Sequence, residues 1–119
     1  MILILGGEGA GKRSFALSLG YCEDDFTCDV YSDKPVLINL EKILREDCAC
    51  ADDIFAMLCK KSVVTCCEVG SGIIPLDKHE REYRETTGRM CVRLAREAGC
   101  VVRMTAGIPM ILKGELPCE

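Results

Sequence analysis

A chain of 119 residues with 15 basic and 19 acidic side chains, a net charge of −4 and no tryptophan lacks the basic stripe and interleaved aromatic rings that grip a nucleic acid. Its length suits one domain, and its apolar start, residues 1–5, is too short for a signal sequence or a membrane span, so a cytoplasmic protein without a membrane partner is expected. The 10 cysteines read as reduced thiols serving as small apolar residues; with no C-x-x-C and a sole histidine, His79, no metal ligand set is expected, and Cys48 and Cys50 leave a redox or metal role open.

The chain is organised around Met1 to Ser14, MILILGGEGAGKRS. A short apolar strand runs into Gly6 and Gly7, and a glycine loop leads to a helix over Arg13 to Leu19. Gly6 to Lys12 satisfy G-x-x-x-x-G-K. Glycines let successive backbone N–H groups turn inward, the helix N-terminus adds partial positive charge, and a lysine reaches the terminal phosphates. The expected nucleotide-binding residues are therefore Gly6, Gly7, Glu8, Gly9, Ala10, Gly11, Lys12, Arg13 and Ser14, with ATP or GTP as ligand. A glycine-rich turn beside an exposed lysine is the alternative. After the lysine, where a hydroxyl residue usually ligates Mg²⁺, stands Arg13, and Ser14 lies about 100° further round the helix.

Phe15, Ala16 and Leu19 can face a sheet, and Gly20 closes the first helix after about two turns. Tyr21 to Asp33 reads as an acidic connection with a brief strand around Cys28 to Tyr31. Val36 to Asn39 is a buried-type strand. In a phosphate-loop protein its end carries an acid for Mg²⁺, and the neutral amide of Asn39 cancels none of the metal's charge, so Mg²⁺ stays an open question. Glu41 is either a compensating acid or a surface helix residue. Leu40, Ile43 and Leu44 form one helical face. The next helix runs from Asp52 or Asp53 to Lys61, burying Ile54, Phe55 and Leu58, with aspartates first and Lys60 and Lys61 last, as the helix dipole favours.

Ser62 to Cys67 is an unbroken run that predicts a central parallel strand, with Cys66 and Cys67 as core residues on opposite faces. Glu68 to Pro75 then place a carboxylate and glycines beyond the strand's carboxyl end, the edge where open α/β sheets bind ligands. Glu68 joins Lys12 as a candidate catalytic residue; a solvated turn is the plainer reading. Asp77 with Glu80 predicts an N-cap for a long helix to Ala98, with Tyr83, Thr87, Met90, Leu94 and Ala98 on one face and pairs Glu80 with Arg84 and Glu85 with Arg89. Arg84 and Arg89 are candidates for holding a substrate anion, Gly88 is expected to mark close packing against a strand, and His79 a surface position. Cys100 to Thr105 is a strand, Ala106 to Pro109 breaks it, and Met110 to Lys113 can pair as an edge strand. The alternation predicts an α/β fold, a minimal P-loop NTPase-like three-layer architecture with a mostly parallel sheet, forming a single domain over residues 1–119.

These motifs resemble the adenosylcobinamide kinase/adenosylcobinamide-phosphate guanylyltransferase family of cobalamin biosynthesis. The resemblance is carried by Met1 to Lys12, by Glu68-Val69-Gly70-x-Gly72-Ile73-Ile74-Pro75, by Arg84 and Gly88-Arg89, and by Ala106-Gly107-Ile108-Pro109. It implies phosphorylation of the aminopropanol hydroxyl of adenosylcobinamide by a nucleoside triphosphate, a corrinoid as substrate, and homo-oligomeric assembly. The family's second activity attaches GMP through a guanylyl-histidine between the first helix and the middle strand. This chain has no histidine there, and its Tyr21 to Lys34 segment is short, so the resemblance implies that the guanylyltransferase step is lost. Further departures are Arg13, Asn39, Cys67 for the usual Asn, and Cys91-Val92 for an Asn-Gln pair. Two readings follow, a kinase and a non-catalytic nucleotide-binding or regulatory relative, with a cysteine-based redox or metal module as a third.

Overall fold

The computed structural model of the chain describes residues 1–7, 9–46, 51–67 and 78–115. Six strands, β1 (Ile2–Gly6), β2 (Phe26–Thr27), β3 (Val36–Leu37), β4 (Val63–Cys67), β5 (Cys100–Thr105) and β6 (Ile108–Lys113), form one sheet in the order β2-β3-β4-β1-β5-β6. All neighbours are parallel except β6, which runs antiparallel to β5. Among the described residues the helices are α1 (Lys12–Ser18), α2 (Leu40–Glu46), α3 (Ala51–Leu58) and α4 (Lys78–Glu97), with a 3₁₀ turn at Glu23–Asp25.

The sheet buries both faces, which is why its inner strands read as continuous apolar runs. On one face Leu3, Leu37, Val64 and Val101 pack with Leu40 and Leu44 of α2, Ile54 and Leu58 of α3, and Tyr83, Met90 and Leu94 of α4. On the other, Ile2, Ile4, Val36, Val63, Val102 and Met104 pack with Ala16 of α1 and with Phe26. Three helices on one side and one on the other make a three-layer α/β fold, as the sequence predicts. Each fully buried aliphatic side chain contributes about 1.5–3 kcal/mol of transfer free energy, so these two clusters hold the layers together.

Several elements differ from expectation. The brief strand before β3 is Phe26–Thr27, two residues ahead of the Cys28 to Tyr31 segment, and it is fixed by pairing with Val36 and Leu37. Helix α3 stops at Leu58, so Lys61 does not serve its dipole. Lys61 is buried, and its ammonium donates to the carbonyls of Ser32 and Lys34, the latter at 2.8 Å, tying the β2–β3 connection to the start of β4. Gly88 packs against nothing, since a Cβ added there would meet open space. Cys66 lies in the core as expected, whereas Cys67 is half-buried at the carboxyl end of β4. Glu80 gives both carboxylate oxygens to Arg45 at 2.9 Å, which joins α4 to α2. Arg93 likewise reaches Asp52 at 2.7 Å, joining α4 to α3. The Glu68 to Pro75 loop, the Asp77 cap, and Cys48 and Cys50 lie outside the described residues. Among the described residues no helix is long and apolar enough to cross a membrane.

Candidate functional site

Strand β1 lies between β4 and β5, and its last residue, Gly6, pairs with Cys67 on one side and Met104 on the other. A Cβ on Gly6 would stand 2.7 Å from the Met104 carbonyl oxygen, so the glycine lets the chain leave the sheet at this point. The loop then turns with the Ala10 N–H donating to Gly7 O at 3.2 Å. Gly11 caps α1 with φ 96, in the left-handed region, and the Phe15 N–H donates to its carbonyl at 2.9 Å.

The turn between β5 and β6 braces this loop from the side. The Gly107 N–H donates to Ala10 O at 2.9 Å, and a Cβ on Gly11 would lie 3.3 Å from the Gly107 Cα. The Ala106-Gly107-Ile108-Pro109 motif is thus the neighbour of the glycine loop, although about a hundred residues separate them. The Lys12 ammonium lies across the loop and donates to Gly6 O at 3.1 Å and Gly7 O at 2.8 Å.

Gly9 to Ser14 form one wall of a cleft of about 660 Å³. Opposite stand Ile38 and Asn39 after β3 with Glu41, Lys42 and Arg45 of α2; Thr65 and Cys67 of β4 and Tyr83 of α4 complete it. Four basic side chains, Lys12, Arg13, Lys42 and Arg45, face the cleft with one carboxylate, Glu41, among its described lining residues. A basic cleft in an acidic chain concentrates positive potential where a polyanion would bind.

Individual side chains refine this picture. Arg13 lies 3.5 Å from Glu23 and 5.4 Å above the Phe26 ring, so its charge is shared with the β2 side of the molecule. Asn39 has φ 59 and its N–H donates to Thr65 Oγ1 at 3.2 Å. Glu41 Oε1 accepts the Cys67 N–H at 2.8 Å, which anchors α2 to the end of β4. Arg45 stacks 4.3 Å over Tyr83 while gripping Glu80, whose carboxylate holds the guanidinium charged above its usual range. Burial pushes the Tyr83 phenol up despite that neighbouring cation, keeping it neutral. Behind the cleft, Cys66 Sγ lies 3.6 Å from Cys91 Sγ; this contact and burial hold the Cys66 thiol far above the ordinary thiol range.

The expected nucleotide-binding residues therefore form a loop and one cleft wall, with Gly6 and Gly7 at its root; Glu8 and Glu68 lie outside the described residues. Arg84 and Arg89 are not among the lining residues, and Arg89 is exposed beside Glu85 at 3.7 Å. Sequence reasoning missed Lys42, Arg45, Thr65 and Tyr83 as cleft residues. The signal for the first two was present: residues 41, 42 and 45 form the polar stripe left on α2 once Leu40 and Leu44 turn inward.

The sheet order and the strand, glycine loop and helix at its start define a P-loop-like α/β protein. Residues 33–112 match the family model for cobinamide kinase / cobinamide phosphate guanyltransferase, and the chain belongs to this family. The match begins beyond the glycine loop and spans the sheet from β3 into β6. No protein of curated function matches the chain.

Proposed function

We propose that the cleft binds ATP or GTP and that the chain transfers the terminal phosphoryl group to a hydroxyl of a cobinamide-type corrinoid, without the guanylyl transfer. The observation that supports this most is the braced glycine loop, with Lys12 across its mouth, opening into a basic cleft in a chain of this family. In this reading the backbone of Gly6 to Ser14 surrounds the phosphates, and Lys12 exchanges its two carbonyl partners for oxygens of the β and γ phosphates, a charge-assisted and stronger pairing. The acceptor hydroxyl oxygen attacks the γ phosphorus, the bond to the β-phosphate oxygen breaks, and Lys12 stabilises the charge left on the departing diphosphate. Glu68, next in sequence after Cys67, takes the hydroxyl proton. The oxygen donors facing the cleft, the Glu41 carboxylate and the Ser14 hydroxyl, suit Mg²⁺, which when bound supplies neutralising charge beside the phosphates. Arg84 and Arg89 belong to this proposal only as anion contacts for the acceptor at the helix α4 edge.

A second reading, a non-catalytic nucleotide-binding relative, is favoured by Arg13 at the hydroxyl position and Asn39 at the end of β3. The two are separated by incubating the chain with Mg²⁺, ATP or GTP, and adenosylcobinamide, and following the phosphorylated corrinoid chromatographically beside binding of a fluorescent nucleotide. Product formation supports the kinase, and tight binding without product supports the relative. Lys12→Ala should weaken nucleotide binding about 10- to 100-fold, the worth of one hydrogen bond to a charged group. Unchanged affinity overturns the placement of the phosphates.

A further inference from the structure

We infer that Glu41 is the carboxylate with which this chain holds the divalent cation of its nucleotide, in place of an acid at the end of β3. The inference rests on the proposed nucleotide cleft and adds to it the residue that makes binding metal-dependent.

Three observations carry it. The chain just beyond β3 is neutral: Asn39 carries an amide, and its left-handed backbone is held by its N–H donating to Thr65 Oγ1. Two residues further on, Glu41 faces the same cleft from the first turn of α2. Its position is fixed from the phosphate-loop side of the sheet, because Oε1 accepts the N–H of Cys67, and Cys67 is the register partner of Gly6, where the glycine loop begins. An ionised carboxylate has about four lone-pair sites on its two oxygens, so the bond to Cys67 leaves ligand capacity on a group already oriented.

Electrostatics points the same way. Among the described residues lining the cleft, every other charged side chain is basic, as a polyanion site requires. A carboxylate in that company repels phosphate and would weaken binding unless a cation sits between the two. Mg²⁺ prefers hard oxygen ligands and is held by one or two carboxylates together with phosphate oxygens, which is the ligand set that Glu41 and a triphosphate make together.

Glu41→Gln separates this role from a structural one, since the amide oxygen still accepts the Cys67 N–H and only the charge is lost. The measurement is the affinity for a fluorescent ATP or GTP analogue with Mg²⁺ and with a chelator, alongside the Mn²⁺ resonance signal as protein is added to Mn²⁺ and nucleotide. For the unmodified chain, Mg²⁺ should tighten nucleotide binding about tenfold, the scale of one charge pair in a partly screened site. In Glu41→Gln that gain should vanish, metal-free nucleotide should bind as tightly as before or more tightly, and Mn²⁺ should no longer be taken up with the nucleotide. Retention of the full metal-dependent gain in Glu41→Gln overturns the inference while leaving the nucleotide cleft standing. Absence of nucleotide binding by the unmodified chain, with metal or without, overturns both.

Discussion

One methyl group is enough to test the glycine loop. At Gly11 the backbone sits at φ 96 and a Cβ would press on the Gly107 backbone, 3.3 Å away. Gly11→Ala should therefore cost about 1–2 kcal/mol from the left-handed conformation alone and displace the loop from its brace. Urea unfolding should show the loss, and a nucleotide titration should show a larger proportional fall in affinity than in stability. An alanine variant that binds as before would mean the loop tolerates a different shape. At this scale the sequence was legible where the signal is local: G-x-x-x-x-G-K names its own residues because spacing dictates loop geometry. It was silent where a side chain finds its partner far along the chain. Arg45 meets Glu80 and Arg13 meets Glu23 only after folding, and Lys42 reads as an ordinary surface lysine until the cleft around it is assembled.

Helix α4 shows how far periodicity reaches. Tyr83, Thr87, Met90, Leu94 and Ala98 recur at helical spacing, and all are buried. Gly88 breaks the pattern without a packing reason, because it is exposed and a side chain there meets open space. Gly88→Ala should thus stabilise the chain by about 1 kcal/mol, the difference in helix propensity. The check is the shift of the urea midpoint at unchanged slope, and a decrease would show that the helix needs glycine there. Short elements were less readable. Strand β2 has two residues, too few for alternation to register, and it owes its strand state to pairing with β3. The end of α3 was misplaced because Lys60 and Lys61 look like favourable last-turn charges, whereas the carbonyls of Ser32 and Lys34 draw Lys61 into the core. Arg45 and Arg93 clamp α4 to its neighbours, each lying over an aromatic ring, and no local pattern signals either contact.

For the whole molecule, alternating strands and helices were enough to give a mostly parallel three-layer sheet. They did not say which strands flank β1, since β4 and β5 are similarly apolar and either could take any inner place. The buried Cys66 thiol gives the molecule a pH dependence with a definite sign. Its proton is held more tightly in the folded chain than in the unfolded one, so its contribution is fully present below the ordinary thiol value of 9.0 and is lost as pH rises above it. Stability should fall by about 1.4 kcal/mol per pH unit in that alkaline range for this one group. Urea midpoints under reducing conditions from about pH 8 to about 10.5 should show the slope, and Cys66→Ala should flatten it; an equal slope in both chains would assign the effect elsewhere. The brace on the glycine loop carries a consequence for biosynthesis. Gly107, which donates to Ala10, is synthesised roughly a hundred residues after it, about 5–20 seconds later at ordinary elongation rates. Through that interval the glycine loop lacks the hydrogen bond that shapes it, so on the proposed reading nucleotide capture waits until Gly107 has been made.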